Sequence, residues 1–193
     1  MVYMNKTEAI ACIQQHLPEK RFQHTIRVMD TALELAKTYH IAAENMELAA
    51  IFHDYAKYRN LDEMKRIIIN STLPKDLLHY HTELWHGPVG AILIQQEYGI
   101  DHPDILRAIR YHTTGRAHMS LFEMILFVAD YIEPGREIPG VEEVRGMAKE
   151  NITLAAQEIS KRTIHYLLSQ NQSVYPDSFF AYNDLTRKIN GGL

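Results

Sequence analysis

Met46-Glu47-Leu48-Ala49-Ala50-Ile51-Phe52-His53-Asp54-Tyr55-Ala56-Lys57 is the stretch on which the reading of the fold turns. Met46, Ala49, Ala50 and His53 fall at i, i+3, i+4 and i+7, the spacing of one helical face. The alternation of period two that a half-buried strand requires is absent. His53 and Asp54 follow Ile51-Phe52 directly, so an imidazole and a carboxylate stand side by side in an otherwise apolar segment. A carboxylate carried inward there needs a cation or several donors to offset its desolvation.

Outward from this stretch the same period recurs. His24, Val28, Ala32 and Leu35 share a face, and the spacing predicts helices near 5–16, 20–39, 45–58, 61–70, 86–98, 103–112, 120–133, 142–170 with a break, and 177–189. Asn60 with Glu63 and Ser120 with Glu123 have the capping-box form, and Pro88 and Pro103 suit first turns. Nine glycines and seven prolines are few turn-formers for 193 residues, which disfavours a strand-rich sandwich. The expectation is an all-α helical bundle. At roughly 100–200 residues per domain, it is one domain over 1–193, with a motif core at about 20–136 and C-terminal helices 142–189 packed on it. Phe179, Phe180, Leu185 and Ile189 read as the packed face of a closing helix.

Twenty Lys and Arg against 24 Asp and Glu leave a net charge of −4, so no global positive field draws in nucleic acid or acidic lipid. An anionic substrate must be held by local charge. The longest apolar run, Met124 to Ala129, is far short of the ~18 residues of a membrane span. No leader pattern opens the chain, and the one cysteine, Cys12, reads as a small buried hydrophobe; a reducing cytoplasm is the expected setting.

Among the eleven histidines, His16, His40, His79, His81, His118 and His165 carry no special pattern, and His102 before Pro103 reads as a helix-opening residue. Three others lie on faces that otherwise read as core: His24 with Val28 and Leu35, His53 with Met46, Ala49 and Ala50, and His112 after Ile105 and Ile109. Asp130 closes the run Met124-Ile125-Leu126-Phe127-Val128-Ala129. Periodicity leaves two readings open. Neutral imidazoles with two carboxylates and no cysteine suit iron, manganese or zinc in a mixed nitrogen and oxygen shell. Buried His–Asp hydrogen bonds that hold helices together gather the same residues.

The order of motifs favours the first reading. Arg21-Phe22-Gln23-His24-Thr25, His53-Asp54, His86-Gly87-Pro88, Arg110-Tyr111-His112-Thr113-Thr114-Gly115 and Val128-Ala129-Asp130 resemble, in sequence, the five motifs of the HD-domain metal-dependent phosphohydrolases. Within that family, His53-Asp54-Tyr55-Ala56-Lys57, Tyr111-His112-Thr113-Thr114-Gly115-Arg116 and Ala129-Asp130-Tyr131-Ile132-Glu133-Pro134-Gly135-Arg136 are similar to the bacterial YqeK-type group, identified with symmetrical cleavage of diadenosine tetraphosphate. The resemblance covers roughly residues 20–180. It implies two metal ions, iron by family precedent with manganese or zinc left open: one held by His24, His53, Asp54 and Asp130, the other by Asp54, His86 and His112, with Asp54 the bridge.

The implied activity is hydrolysis of a dinucleoside polyphosphate to nucleoside diphosphates. Asp54 and Lys57 are the catalytic candidates, Lys57 lying one turn after His53 with a solvated lysine as the plain alternative. Arg136, Thr113, Thr114 and Gly115 are candidate phosphate contacts, while Arg27, Arg110 and Arg116 read first as surface ion pairs. Trp85 reads as core rather than as a base-stacking ring. Two other functions fit the same residues: an HD-type nucleotidase or deoxynucleoside phosphatase, and a catalytically inactive nucleotide sensor. A nucleotide is the expected partner, with no nucleic acid and no membrane, and a homodimer is left open.

Overall fold

The computed structural model describes residues 4–191; residues 1–3 and 192–193, which the single-domain expectation takes in, lie outside the description. The all-α expectation is met. Among the described residues ten α-helices run in the order α1 (Lys6–His16), α2 (Glu19–Thr38), α3 (Ala43–Phe52), α4 (Leu61–Asn70), α5 (His86–Tyr98), α6 (Pro103–Tyr111), α7 (Leu121–Ile132), α8 (Val141–Glu150), α9 (Ile152–Ser169) and α10 (Pro176–Ile189). Two 3₁₀ turns, Lys75–His79 and Thr82–Leu84, which helical periodicity does not foretell, link α4 to α5.

The helix starts follow from local chemistry. Ser120 and Glu123 close a full capping box on α7, as Asn5 and Glu8 do on α1. Asn60 accepts from the backbone of Asp62 and Glu63 to open α4, and His102 caps α6 ahead of Pro103. The break expected within 142–170 falls at Asn151, which ends α8 and caps α9 through the amide of Leu154.

One boundary differs in a way that matters. The helix expected over 45–58 ends at Phe52, and His53 to Arg59 run on as turns closed by Phe52 O, Asp54 O and Ala56 O each accepting from the amide three residues on. His53 Nδ1 lies 2.7 Å from Ala50 O, the carbonyl that would otherwise receive the Asp54 amide in a continuing helix. The imidazole thus ends the helix by taking its acceptor.

α7 is the axis of the packing, buried from Phe122 through Ala129 and contacted by α2, α6, α8 and α9. α2 lies on α3, α5 on α6, and α10 on α9. Complete removal of Phe52, Ile125 and Leu126 from water contributes about 1.5–3 kcal/mol for each side chain.

The closing helix is a correction. Leu185 is buried, whereas Phe179, Phe180 and Ile189 are 52%, 54% and 40% exposed. The inward face of α10 is instead Ser178, Ala181, Asp184 and Leu185. Its register is set by Asp184, which accepts from the His118 amide at 2.9 Å and anchors α10 to the α6–α7 connection. Cys12 is half-buried against the core rather than fully enclosed. Among the described residues no helix is long and apolar enough to cross a membrane.

Candidate metal centre

Five elements bring six side chains to one point. His24 comes from α2, His53 and Asp54 from the turn after α3, His86 from the first residue of α5, His112 from just beyond α6, and Asp130 from the last turn of α7. Asp54 stands between two groups. Its Oδ2 lies 3.1 Å from His53 Nε2 and 3.7 Å from His24 Nε2, while its Oδ1 lies 3.1 Å from His86 Nε2 and 3.9 Å from His112 Nε2. Asp130 Oδ1 completes the first group at 3.0 Å from His24 Nε2 and 4.0 Å from His53 Nε2.

The outer nitrogens decide what the inner ones offer. His53, His86 and His112 each place Nδ1 2.6–2.8 Å from a backbone carbonyl three residues earlier, namely Ala50 O, Glu83 O and Ile109 O. His24 Nδ1 lies 3.0 Å from Glu133 Oε1. A carbonyl or carboxylate oxygen only accepts, so each Nδ1 donates and each neutral ring presents a bare Nε2 lone pair inward. For His53 and His112 the acceptors are carbonyls in the last turns of α3 and α6, which need a partner in any case.

The interior is therefore crowded with acceptors. His86 Nε2 and His112 Nε2 face each other at 3.0 Å, His24 Nε2 and His53 Nε2 are buried with no hydrogen-bond partner, and Asp54 Oδ2 has only the Arg21 guanidinium, at 3.0 Å, as a cation beside it. Positive charge between these atoms satisfies them, as protons on the imidazoles, whose pull is seen in the raised pKa of His53, or as metal cations. Four imidazoles whose outer N–H is fixed, with two carboxylates, form a donor set that suits divalent transition metals.

Titration behaviour agrees with a site that demands positive charge. Burial works against ionised Asp54, yet positive charge on the facing His53 and His86 rings more than offsets it and holds the carboxyl well below its ordinary value. Asp130 is likewise held down against burial, by positive charge on His24 and His53 and by Arg136. Burial, then the neighbouring His86 and His53, pushes His112 down to about 3, so it stays a neutral donor.

Two glycines permit the geometry. A Cβ on Gly87 would meet the backbone oxygens of Ile109 and Arg110 at 3.0 Å, so glycine lets the start of α5 approach the end of α6 and bring His86 to His112. A Cβ on Gly135 would meet the Arg27 guanidinium at 2.5–2.7 Å. There Glu133 accepts from His24, from Arg27 Nε at 2.5 Å and from the Gly135 amide at 2.6 Å, which together override burial and hold it at about 2.

A cavity of about 400 Å³ opens over the cluster, with Arg21, Lys57, Glu83, Thr113, Tyr131 and Arg136 on its walls beside the imidazoles and carboxylates. Lys57 Nζ is bonded to Glu83 Oε2 at 2.5 Å, and Arg136 donates to Asp130 Oδ1 at 2.8 Å. Thr113 reaches the cavity, but Thr114 turns its hydroxyl to Gly115 O and Gly115 packs near Ala181 and Met119, so neither is part of the lining. Arg27 serves buried Glu133, and Arg116 forms a two-pronged pair with Glu123 at 2.7 Å. Arg110 lies over the Tyr111 ring beside a separate groove along α5 and α6. Trp85 is buried with its indole donating to Leu77 O.

Reading by residue type passed over three contributors. Glu133 orients His24, Arg21 Nη1 approaches Asp54 Oδ2 to 3.0 Å, and Glu83 gives its carbonyl to His86 and its carboxylate to Lys57. Each lies in or beside a quoted motif, yet charged residues next to turns usually face water, and only the fold reveals their partners.

The fold and this cluster define the class. Residues 21–135 match the HD domain, and the chain belongs to that family. It is 51% identical over 180 residues, 93% of its length and 97% of the relative's, to a protein of Bacillus subtilis named symmetrical bis(5'-nucleosyl)-tetraphosphatase. A Staphylococcus aureus protein of the same name is 45% identical, covering 89% of this chain and 90% of that one. A crystal structure from Clostridium acetobutylicum, described as a predicted HD superfamily hydrolase involved in NAD metabolism, superposes with a TM-score of 0.91 at 35% identity, over 96% of this chain and 98% of the other. The resemblance carried by the five motifs is thereby borne out, and the family implies a divalent metal.

Proposed function

We propose that the chain hydrolyses diadenosine tetraphosphate symmetrically to two ADP at a dinuclear centre. The observation that carries this is the pair of lone-pair clusters joined by the two oxygens of Asp54. His24, His53, Asp54 and Asp130 would hold one metal and Asp54, His86 and His112 the other, with iron favoured and manganese or zinc allowed by the donor types. The names of the relatives support the substrate, and the single cysteine supports a reducing cytoplasm.

Two bound divalent ions supply Lewis-acid polarisation of phosphoryl oxygens and activation of a water near neutral pH. The chain's own residues do the remainder. Glu133 and the three backbone carbonyls keep each Nδ1 protonated, so the Nε2 donors stay aimed inward through the reaction. Lys57 and Arg136, both on the cavity wall, neutralise charge on the transferring and leaving oxygens, and Thr113, whose hydroxyl is buried and unpartnered, donates to a phosphate oxygen. Local charge of this kind is what a chain of net charge −4 needs to hold an anion.

Chromatography of the products tests the proposal. Metal-loaded protein given diadenosine tetraphosphate is expected to yield ADP alone from the earliest time points. Equal ATP and AMP would contradict symmetrical attack. Release of inorganic phosphate from mononucleotides, with the dinucleotide untouched, would favour the nucleotidase alternative, and binding without turnover the sensor.

A further inference from the structure

A second cavity, of about 430 Å³, adjoins the one over the metal cluster and shares Arg21, Arg136 and Ile138 with it. Lys20, Arg27 and Tyr58 lie on its other walls. Four cations and two carboxylates line it: Arg27 and Glu133 pair with each other, Arg21 and Arg136 reach in to Asp54 and Asp130 at the metal cluster, and Lys20 stands over the cavity with Glu137. Lys20 is exposed, and the Tyr58 ring stands 57% exposed at the rim. A single exposed aromatic is unremarkable by itself. An exposed aromatic beside a cationic cavity that runs into the candidate centre is the combination that single-stranded nucleotides use, a cationic track for phosphates and a ring face for a base.

We infer that this cavity is the subsite for one nucleoside diphosphate half of the substrate, with the base stacked on Tyr58 and the phosphates along Lys20, Arg21 and Arg136. The inference rests on the proposed activity and adds to it where that half lies. A dinucleoside tetraphosphate carries two bases and needs two places to put them. The metal-side cavity has its own half-buried ring, Tyr131, so each cavity supplies one aromatic face. Stacking on a tyrosine accepts any base, since every base has a π-face; the Tyr58 half therefore tolerates guanine for adenine.

Steady-state kinetics on the metal-loaded full chain tests this, with inorganic tetraphosphate, which has no base, as a competing anion. Tyr58→Ala is expected to raise KM for diadenosine tetraphosphate about 5- to 100-fold, with kcat changing far less and the inhibition constant of tetraphosphate unmoved. Tyr58→Phe should restore KM and Tyr58→Leu should not. Lys20→Met should weaken both the dinucleotide and tetraphosphate. Melting temperature and metal content matched to the parent separate these effects from folding. An unaltered KM in Tyr58→Ala, with the parent forming ADP, would overturn the subsite and leave the activity standing; so would a loss of tetraphosphate binding equal to the loss of dinucleotide. A parent that forms no ADP would remove the activity and the subsite together.

Discussion

His86 Nε2 and His112 Nε2 face each other across 3.0 Å although both rings already donate through Nδ1, which leaves lone pair against lone pair. That contact exists because Gly87 lets α5 reach the end of α6. Gly87→Val is expected to force the helices apart, destabilise the fold by about 1–3 kcal/mol as overpacking does, and cost the metal held by this histidine pair. Denaturant unfolding together with elemental analysis checks it. Full metal content and unchanged stability would mean that the close approach is incidental.

Lys57 is expected to act on the developing charge of the reaction. Lys57→Met should keep metal content while lowering kcat by ~10²–10³, the scale of losing one preorganised donor, with KM changing less. Because Lys57 is bonded to Glu83, Glu83→Gln serves as the comparison. A lysine whose only task is that ion pair would give the same kinetics in both variants.

Acid should loosen the closing helix. Burial pushes the Asp184 carboxyl up, but the Lys188 ammonium and the His118 amide outweigh it, so the group lies below its ordinary value. The unfolded chain then binds the proton more readily than the folded one. The stabilisation is full above the unfolded value near 3.9 and is lost as pH falls through the folded value. Asp184→Asn should cost about 1–3 kcal/mol at pH 7, and the gap to the parent should narrow on acidification from pH 5 to 3. A gap that stayed constant over that range would show that the Asp184 charge is not what anchors α10.

Much of this was legible in the chain. The face shared by Met46, Ala49, Ala50 and His53 and the capping box of Ser120 and Glu123 define their helices locally, since each depends on neighbours within two turns. Five of the six clustered side chains were legible for a related reason, since polar groups on apolar faces must converge on something; His86 was legible only through the resemblance of His86-Gly87-Pro88 to a family motif. What stayed hidden depends on distant partners. The stop of α3 at Phe52 rests on an imidazole taking a carbonyl, the exposure of Phe179 and Phe180 on a register set by Asp184 and His118, and the placing of Glu133 on His24, 109 residues away. No local pattern encodes those choices.

Orientation of His24 by Glu133 is open to a separate check. Glu133→Gln offers Nδ1 an amide in place of a carboxylate and leaves Arg27 without its buried anion. Metal affinity is expected to fall ~10- to 100-fold, as for other partners of ligating histidines, and Glu133→Asp should not recover it fully because the shorter chain cannot reach both His24 and Arg27. Isothermal titration of metal-stripped protein measures this. Equal affinity in Glu133→Gln would leave Glu133 as a loop anchor alone.

Asp54 carries the whole arrangement, since each of its oxygens faces a different histidine group. Elemental analysis of freshly purified, chelator-free protein should find two metal ions per chain in the parent and none in Asp54→Ala, with helical content matched between them by circular dichroism. A full complement of metal in Asp54→Ala, or a parent that holds a single ion at saturation, would contradict a bridged pair of sites.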